Sequence, residues 1–418
     1  MKITVIGAGV VGLSCASMLR QRGHDITLVD PLPPGEHCSF GNAGCFSRCS
    51  FVPLGLPGLW KKVPGWLLDP SGPLSIPARY ALKVAPWVWR LHQSTSIARV
   101  NEIADALFPL LDATLDQWRP LAAWAGVPEL VRQDGYAWAY ESEAAFLGDA
   151  FGRELRMKRG VRIEVLQGGA VREFEPALSA AVTHLVRFPE QGHCPNPLRL
   201  SQALATRLKR EGARFVPDSA YGFEWYDDRV ARVVTGGEKI ECDAVVVAAG
   251  AHSHKLSEKL GAPVLLETER GYHLTLAHPT VSPRVPIMSA EGKFFATPME
   301  MGLRVAGTVE LAGLEAPPDY ERTKPLLEGA RRLLPGLQFE SLSRWMGHRP
   351  SLPDSLPVIG RAPKVPNAYF AFGHGHVGLT AAAPTAALIA SLVAGEKPAI
   401  DITPFAADRP SIRTRGAA

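Results

Sequence analysis

The sequence predicts an α/β fold with a parallel sheet at its centre, and three segments support this prediction. Apolar residues 2–6 and 25–29 flank a glycine-rich turn and a helical stretch, which is the arrangement of a strand–helix–strand unit. The apolar run 244–247 ends in small residues and is expected to return to the same sheet. Residues 367–372 form a further apolar run, which precedes a second glycine-rich turn and an alanine-rich helix.

Composition places the chain among globular proteins of two or three domains. Its 418 residues are 46% hydrophobic and 21% charged, which excludes a mainly disordered chain, a coiled coil and a collagen-like polymer. The 45 basic and 41 acidic residues leave a net charge of +4 without any basic run, so no nucleic-acid partner is expected. The six cysteines include no CxxC pair, which favours reduced thiols in the cytoplasm.

The sequence predicts neither a metal site nor a membrane span. No HExxH or other metal-ligand spacing is present. The first residues are mostly apolar, as in a short signal peptide, but glycines at three fixed positions indicate a structured turn instead. No uninterrupted apolar run reaches the length that a spanning helix requires.

The turn after the first strand has the spacing of a dinucleotide-binding fingerprint. Gly7 permits the tight turn, Gly9 lets the backbone approach a pyrophosphate, and Gly12 lets the helix pack closely on the strand. The helix that follows offers its first N–H groups to the phosphates. Asp30 ends the second strand, where a carboxylate accepts a ribose hydroxyl and disfavours the extra phosphate of NADP. The predicted contacts of this unit are Gly7, Ala8, Gly9, Val10, Val11, Gly12, Asp30 and Pro31.

Later segments favour FAD over NAD, a choice that the fingerprint alone leaves open. The chain continues not with further strand–helix units but with a loop of small residues, against which a flat ring system lies without side-chain clash. The helix after the second glycine-rich turn directs its N-terminus at an electron-rich group, such as a reduced flavin ring. The predicted contacts of these segments are Ser39, Gly41, Asn42, Ala43 and Gly44; Ala248, Ala249 and Gly250; and Gly373, His376, Val377, Gly378, Leu379 and Thr380.

Taken in chain order, these motifs resemble the FAD-dependent D-amino-acid oxidase superfamily, and within it the bacterial D-amino-acid dehydrogenases. The matching segments are 7–12, 39–44, 247–251, 347–360 and 373–380, which span almost the whole chain. The resemblance implies a Rossmann-like FAD-binding domain and a second, substrate-binding domain built on an antiparallel sheet, so that the chain is α+β overall. The FAD-binding domain is expected from residues 1–50, 150–262 and 345–405, the substrate domain from 51–149 and 263–344, and a flexible tail from 406–418.

Two departures from the family pattern concern the flavin. The family often has tryptophan after the turn at 249–251, where this chain has His252. Relatives with covalently attached flavin use a cysteine or histidine near the ring. The late segment of this chain contains no cysteine, which favours non-covalent FAD, whereas His374 and His376 keep covalent attachment open as an alternative.

The resemblance assigns the substrate carboxylate to an arginine, Arg349, whose planar guanidinium meets a carboxylate through two hydrogen bonds. The alternative for Arg349 is a structural role, paired with Asp354 or with a backbone carbonyl. The resemblance also implies Tyr272 as the second predicted catalytic-site residue, because the family often has a tyrosine on such a strand whose hydroxyl donates to the carboxylate. Alternation on the strand 269–276 places Tyr272 on the face opposite His273, and the alternative is a core tyrosine with a satisfied hydroxyl. Two further candidates are Arg270 and His193, each with a structural role as its alternative.

Together these features predict FAD-dependent oxidative deamination of a D-amino acid, with D-proline or D-hydroxyproline as cyclic examples. Hydride transfer from Cα to flavin N5 gives an imine and then a 2-oxo acid, and the electrons pass to a respiratory acceptor such as a quinone. The alternatives are a glycine or sarcosine oxidase, the FAD subunit of a multi-subunit amino-acid dehydrogenase, and a non-catalytic flavin-binding module.

Residues 51–92 are rich in tryptophan and proline, with basic residues interleaved. They are interpreted either as a folded excursion with buried tryptophans or as a surface that contacts a membrane or a second copy of the chain. The expected location is the cytoplasm, with peripheral contact at the inner face of the cytoplasmic membrane and homo-oligomerisation as open alternatives. Helices are expected at 97–126, 197–212 and 320–334, and a hairpin of strands at 213–226 and 229–235.

Overall fold

The computed structural model describes residues 1–69 and 72–414, and this part of the chain forms two large sheets with helices packed around them. Its helices are α1 (Val10–Gln21), α2 (Leu59–Leu68), α3 (Ala78–Gln93), α4 (Ile97–Asp112), α5 (Thr114–Trp124), α6 (Glu143–Gly148), α7 (Ala150–Met157), α8 (Gly169–Phe174), α9 (Pro197–Arg210), α10 (Ser253–Lys259), α11 (Lys324–Leu333) and α12 (Gly378–Val393). Its strands are β1 (Lys2–Ile6), β2 (Asp25–Val29), β3 (Cys45–Phe46), β4 (Leu74–Ser75), β5 (Tyr136–Tyr140), β6 (Glu164–Gln167), β7 (His184–Phe188), β8 (Gly192–His193), β9 (Arg214–Val216), β10 (Ala220–Tyr226), β11 (Arg229–Thr235), β12 (Lys239–Glu241), β13 (Ala244–Val247), β14 (Glu267–Ala277), β15 (Ile287–Ser289), β16 (Phe294–Met299), β17 (Gly302–Glu310), β18 (Ser341–Ser351), β19 (Val358–Ala362) and β20 (Val365–Phe372).

The first sheet has the strand order β19-β20-β13-β1-β2-β9, and all its neighbouring pairs are parallel except β19 with β20. Val5 of β1 lies between Leu28 of β2 and Val246 of β13, and all three are fully buried, as expected for a sheet covered on both faces. The prediction that 244–247 returns beside the first strand is confirmed. The carboxyl ends of β1, β2, β13 and β20 therefore meet along one edge, which is where open α/β sheets bind ligands.

Helix α12 packs on α1 and α5 in the core beside this sheet. Its alanine-rich surface is apolar on nearly all sides, which suits a helix surrounded by protein. The stretch Gly375–Val393 has the length and the mean hydropathy, 1.5, of a membrane span, but 67% of it is buried inside the protein. An apolar helix of this length that is mostly buried inside the protein is a core helix.

The second sheet has the order β18-β14-β17-β16-β15-β5-β7-β6, with β4 paired to β17, and most of its pairs are antiparallel. The long strands β14, β17 and β18 lie side by side at one end of this sheet, with β18 at its edge. Tyr272, Leu274 and Leu276 point into one core and His273 lies on the opposite face, as alternation predicts.

The sheets divide the chain at boundaries that differ from the proposed domain ranges. Strands β6 and β7 belong to the second sheet, although the sequence motifs group residues 150–262 with the first. Strand β18 also belongs to the second sheet as far as Ser351. Short strands carry no sequence signal of the sheet that they join, so the pairing of β7 with β5 is visible only in the structure. We therefore propose boundaries after Phe188 and after Ser351.

Most predicted helices are present, with small changes at their ends. The expected helix 97–126 is two helices, α4 and α5, which meet at Ala113. The expected strand 213–226 is also divided: β9 extends the first sheet, and only β10 forms the hairpin with β11. In the region 51–92, α2, β4 and the greater part of α3 are present, and residues 70 and 71 lie outside the described residues. Of its tryptophans, Trp87 is buried and Trp89 exposed.

The expectation of a flexible tail is wrong for residues 406–414, and residues 415–418 lie outside the described part of the chain. The Ile412 side chain is fully buried, and its carbonyl accepts a hydrogen bond from the Leu265 N–H. The Arg409 guanidinium forms an ion pair with Asp354, 2.7 Å from Nε to Oδ2, in which the side chains are only 8% and 0% exposed. This pair holds the end of the chain against the segment that precedes β19.

Replacing Arg409 by methionine is expected to lower the free energy of unfolding by roughly 3–5 kcal/mol, because it leaves a buried, unpaired carboxylate. Burial alone would raise the pKa of Asp354, but the Arg409 charge and hydrogen bonds from Ser411 and the Leu356 N–H outweigh it and hold the pKa below its usual value. The stabilisation is therefore fully present above the ordinary aspartate pKa, about 3.9, and is lost as the pH falls through the lower folded value.

Denaturant unfolding at neutral and at acid pH measures this effect. The exposed Arg229 provides a control, since Arg229→Met is expected to change the unfolding free energy by less than about 0.5 kcal/mol. A similarly small change for Arg409→Met at neutral pH would show that the pair does not stabilise the chain end.

Candidate functional site

A cavity of about 810 Å³ lies where the carboxyl edge of the first sheet meets the second sheet. Of the predicted cofactor contacts, its wall contains Gly7, Gly9, Val10, Val11, Asp30, Pro31, Ser39, Gly41, Asn42, Ala43, Ala248, Ala249, Gly250, His376, Val377, Gly378, Leu379 and Thr380. Ala8, Gly12, Gly44 and Gly373 are outside this wall. The predicted substrate residues Arg349 and Tyr272 line the same cavity, whereas Arg270 and His193 do not.

Contact with neighbouring backbone atoms explains why residues 7 and 12 are glycines, but it does not explain why residue 9 is a glycine. A Cβ atom on Gly7 would lie 2.3 Å from the Ala248 oxygen, and one on Gly12 would lie 2.0 Å from the Gly7 oxygen. A Cβ atom on Gly9 would meet only the Ser39 Oγ, at 3.3 Å. The absence of a side chain at residue 9 therefore keeps the mouth of the turn open towards the cavity.

Asp30 fixes the shape of this turn. Its Oδ2 accepts a hydrogen bond from the Ala8 N–H at 2.7 Å, and its Oδ1 accepts one from the Leu32 N–H at 2.9 Å. Burial works to raise the pKa of Asp30, but hydrogen bonds from His37 and these two N–H groups outweigh it, so the pKa lies below its usual value. The carboxylate is thus charged at neutral pH and remains on the cavity wall beside Pro31.

The small-residue loop is held between the two sheets by side chains that the sequence analysis missed. Arg304 of β17 donates hydrogen bonds to the carbonyls of Phe40 and Asn42, at 2.7 and 2.8 Å. His273 contacts the Gly41 carbonyl at 3.2 Å through Nδ1, and its ring stacks on Trp345. These contacts fix the loop backbone on one side of the cavity.

The second glycine-rich turn brings another helix N-terminus to the cavity. Strand β20 ends at Phe372, and α12 begins at Gly378 without a side-chain cap, so the positive end of its dipole lies at the cavity wall. The Thr380 Oγ1 accepts from the Ser47 N–H and donates to the Cys45 carbonyl, which ties α12 to β3. Burial lowers the pKa of His376 to about 4, so that this imidazole is neutral at physiological pH.

Arg349 places an unpaired guanidinium in the substrate side of the cavity. It forms no ion pair with any described residue, and its Nη1 donates one hydrogen bond, to the Thr308 carbonyl at 3.1 Å. Of the two alternative partners, Asp354 pairs instead with Arg409, whereas a backbone carbonyl, that of Thr308, does accept a hydrogen bond from Arg349. A Cβ atom on Gly271 would lie 2.2 Å from the Arg349 Cζ, so the guanidinium lies directly against the backbone of β14. This arrangement leaves donors free for an anion from the cavity.

The Tyr272 hydroxyl faces away from such an anion. It donates to Glu310 Oε2 at 2.6 Å and accepts from the Asp319 N–H at 3.0 Å. Arg270, fully buried, completes this network through an ion pair to Glu310 at 3.3 Å. The geometry therefore does not support Tyr272 as a second carboxylate donor. Glu310 lies 38 residues along the chain from Tyr272, so nothing in the local sequence pattern indicates this partner.

His193 also has a structural position. It is 1% exposed, pairs through Nδ1 with Asp134 at 2.9 Å, and lies in the short ladder of β8 with β3. No group of three or more His, Cys, Asp or Glu side chains that could hold a metal ion occurs among residues 1–69 and 72–414.

The wall also contains residues that no motif marks. At the end near Asp30 these are Ser219, Tyr221, Lys255 and Lys259, and at the end near Arg349 they are Lys293, Phe295, Thr308 and Trp345. Thr308 has a positive φ of 60°, which is strained for a β-branched residue by about 1–3 kcal/mol, and such strain is common at functional sites. A run of basic residues or glycines would have been visible in the sequence, but these positions are isolated residues distributed over several strands, a helix and loops.

Comparison with known proteins gives consistent results over nearly the whole chain. Residues 2–392 match a family model described as FAD dependent oxidoreductase. A D-amino-acid oxidase of Bradyrhizobium diazoefficiens is 41% identical over 97% of this chain and 98% of its own length. A D-amino acid dehydrogenase of Rhizobium johnstonii is 31% identical over 98% of this chain and 100% of its own length. The solved glycine oxidase of Bacillus cereus superposes with a TM-score of 0.74 at 21% identity, covering 95% of this chain and 96% of its own, a likeness that concerns the fold alone.

Proposed function

Because the chain belongs to the family of FAD dependent oxidoreductases, we propose that it oxidises D-amino acids, with Arg349 binding the substrate carboxylate. The names of the full-length relatives support the D-amino acid as substrate. The structural observation that carries the proposal is the unpaired guanidinium of Arg349, which lines the same cavity as the glycine turn. The expected resemblance to the D-amino-acid oxidase superfamily is confirmed.

The residues of the cavity fit FAD. Gly9 leaves the turn open to a pyrophosphate, and the N-termini of α1 and α12 offer N–H groups at separate parts of the wall. The small residues of the loop after Ser39 and of the Ala248 turn give flat backbone surfaces for a ring. Lys255 and Lys259 add positive charge at the end near Asp30. The late turn contains no cysteine, which supports non-covalent binding.

The side chains around Arg349 prepare the remaining cavity for an amino acid. Bound FAD supplies the acceptor for the two electrons that leave the substrate. Arg349 fixes the carboxylate, and thereby the position of Cα, while Phe295 and Trp345 provide apolar surface that excludes water. Burial lowers the pKa of His348 to about 4, so its imidazole is uncharged at neutral pH and adds no charge beside Arg349. Oxidation of the amino acid gives an imine, which water converts to a 2-oxo acid and ammonia.

Anaerobic mixing with single amino acids tests the proposed function. D-Alanine, D-methionine and D-proline should bleach the flavin absorbance, and their L-enantiomers should leave it unchanged. Reduction by glycine or sarcosine but not by larger D-amino acids would instead support a glycine or sarcosine oxidase. Small proteins that co-purify with the chain would support the multi-subunit alternative, and flavin that no amine reduces would support a non-catalytic module.

We propose a membrane surface as the site at which the enzyme meets a quinone acceptor. Helices α2 and α3 expose apolar side chains, with Leu68 84%, Leu82 89% and Trp89 57% exposed. Their basic residues are Lys61, Lys62, Arg79, Lys83 and Arg90. Apolar side chains among cations match an anionic lipid surface. The free cysteines of the described residues support a reducing, cytoplasmic location on its inner face.

Co-sedimentation with lipid vesicles tests this surface. The holoenzyme is expected to bind vesicles that contain phosphatidylserine and not vesicles of phosphatidylcholine alone, and the double variant Leu68→Asp, Leu82→Asp should remain in solution. Peroxide formation at the rate of substrate oxidation would identify oxygen rather than a quinone as acceptor. If the holoenzyme and the double variant sedimented equally, α2 and α3 would not be the membrane-binding surface.

A further inference from the structure

The end of the cavity near Arg349 contains a further cation, Lys293, which the proposed function does not use. Lys293 lies in the turn between β15 and β16, where its N–H donates to the Ser289 carbonyl at 2.9 Å and its φ is 53°. Its ammonium makes no hydrogen bond or ion pair with any residue that the structure describes. The side chain lines the cavity. A cation without a partner in a ligand cavity is a candidate for an anionic group of the ligand.

The charges around Lys293 do not neutralise it. Burial, followed by the charge of Lys62, lowers the pKa of Lys293, while Asp149 and Glu291 act in the opposite direction. Both carboxylates are engaged elsewhere: Asp149 accepts from the Tyr140 hydroxyl, and Glu291 accepts from backbone N–H groups that precede α6. Lys293 is exposed, and neither carboxylate forms an ion pair with its ammonium, so the ammonium can bind a negative charge in the cavity.

Thr308 provides a second, independent observation. It is 9% exposed and lines the cavity, and its Oγ1 is buried without a hydrogen-bond partner. A buried hydroxyl without a partner is unusual in a folded protein and indicates an absent ligand or water. The same residue accepts the Arg349 hydrogen bond through its carbonyl. The free hydroxyl and the guanidinium therefore belong to one part of the wall.

Backbone contacts place Lys293 close to Thr308 on the cavity wall. A Cβ atom on Gly307 would lie 2.9 Å from the Lys293 oxygen, so the lysine backbone packs beside the residue that precedes Thr308. Thr308 thus lies beside Arg349, through its carbonyl, and next to Gly307, which packs on the Lys293 backbone. Arg349, Thr308, Lys293 and the apolar Phe295 all line the same cavity.

We propose that Lys293 and Thr308 form a subsite for a second carboxylate, which makes acidic D-amino acids, D-glutamate and D-aspartate, the favoured substrates. This inference rests on the proposed function, because it assumes that Arg349 holds the α-carboxylate. The ammonium supplies the charge that selects a side-chain carboxylate over an amide, and the hydroxyl supplies a donor at fixed position. Both residues determine specificity, and neither is required for oxidation of a neutral D-amino acid.

Isosteric substrate pairs test the subsite. The ratio of kcat/KM for D-glutamate to that for D-glutamine, and for D-aspartate to D-asparagine, should exceed about ten in the better of the two pairs. Lys293→Gln should reduce that ratio at least tenfold while changing kcat/KM for the amide less than about twofold, and Lys293→Arg should keep most of it. Thr308→Val, which keeps the branched shape and the backbone carbonyl, should reduce the ratio severalfold.

The binding of substrate analogues tests this subsite independently of catalytic turnover. Calorimetry should show that glutarate binds the holoenzyme more tightly than butyrate, that Lys293→Gln abolishes the difference, and that Lys397→Gln, at an exposed lysine outside the cavity, preserves it. Faster oxidation of the amide in both pairs, or ratios unaffected by Lys293→Gln, would overturn the inference. Oxidation of neutral D-amino acids in that case would leave the proposed function standing, whereas failure of every D-amino acid would remove the proposed function itself.

Discussion

Replacing Arg349 by alanine is expected to lower kcat/KM for every D-amino acid by roughly a hundred- to a thousandfold. Loss of a charge-assisted, two-point contact to a carboxylate costs about 3–4 kcal/mol, because the anion then enters the cavity without its partner. Most of the loss should appear as a raised KM. The free enzyme loses only the hydrogen bond to the Thr308 carbonyl, so the melting temperature should change little.

Steady-state kinetics with several D-amino acids measure this effect, and two variants serve as controls. Arg349→Lys keeps the charge but not the planar fork, and it should retain an intermediate kcat/KM. Arg344 is exposed on the same strand and outside the cavity, so Arg344→Ala should leave the kinetics unchanged. A KM for Arg349→Ala within about twofold of the unmodified enzyme would remove Arg349 from the substrate site.

Replacing Gly9 by alanine is expected to give a folded protein that holds FAD poorly. The new methyl group meets only the Ser39 Oγ, at 3.3 Å, so the protein accommodates it with a small shift. It occupies the opening through which a pyrophosphate approaches the turn, and the resulting overlap should weaken FAD binding by about 2 kcal/mol, roughly thirtyfold. Titration of the apoprotein, followed by quenching of flavin fluorescence, gives the two dissociation constants.

Gly12→Ala is the matched comparison. Its methyl group would lie 2.0 Å from the Gly7 oxygen, so the damage should fall on folding and lower the melting temperature of the apoprotein. Gly9→Ala should leave that melting temperature nearly unchanged. If Gly9→Ala bound FAD as tightly as the unmodified chain, the opening of the turn would not be the site of the pyrophosphate.

Local patterns predicted the parts of the molecule that depend on neighbouring residues. The strand, glycine turn and helix at 2–21 follow from consecutive residues, and α1 begins at Val10 as the position of Gly9 indicates. The return of 244–247 to the first sheet was predictable because a fully apolar strand with small residues after it suits a doubly covered parallel sheet. The resemblance to the family added two predictions: that the late segments belong to the FAD-binding domain, and that Arg349 binds the substrate carboxylate.

Distant partners set the features that the sequence did not reveal. The Tyr272 hydroxyl is turned from the cavity by Glu310, on another strand. The end of the chain is ordered because Arg409 reaches a carboxylate 55 residues earlier. Thr308 adopts its positive φ at an irregular point of the β14–β17 ladder, where no glycine or asparagine signals it. Lys293 resembles any loop lysine until the second sheet places it on the cavity wall.

The central claim is that one cavity of this chain binds FAD without a covalent bond, and the flavin content of the purified protein tests it most directly. The protein is denatured with acid, the precipitate is removed, and flavin is quantified in both fractions. The account predicts one FAD per chain, all of it in the soluble fraction. A protein that carries no flavin and takes up none, or a flavin that stays with the precipitate, would contradict it.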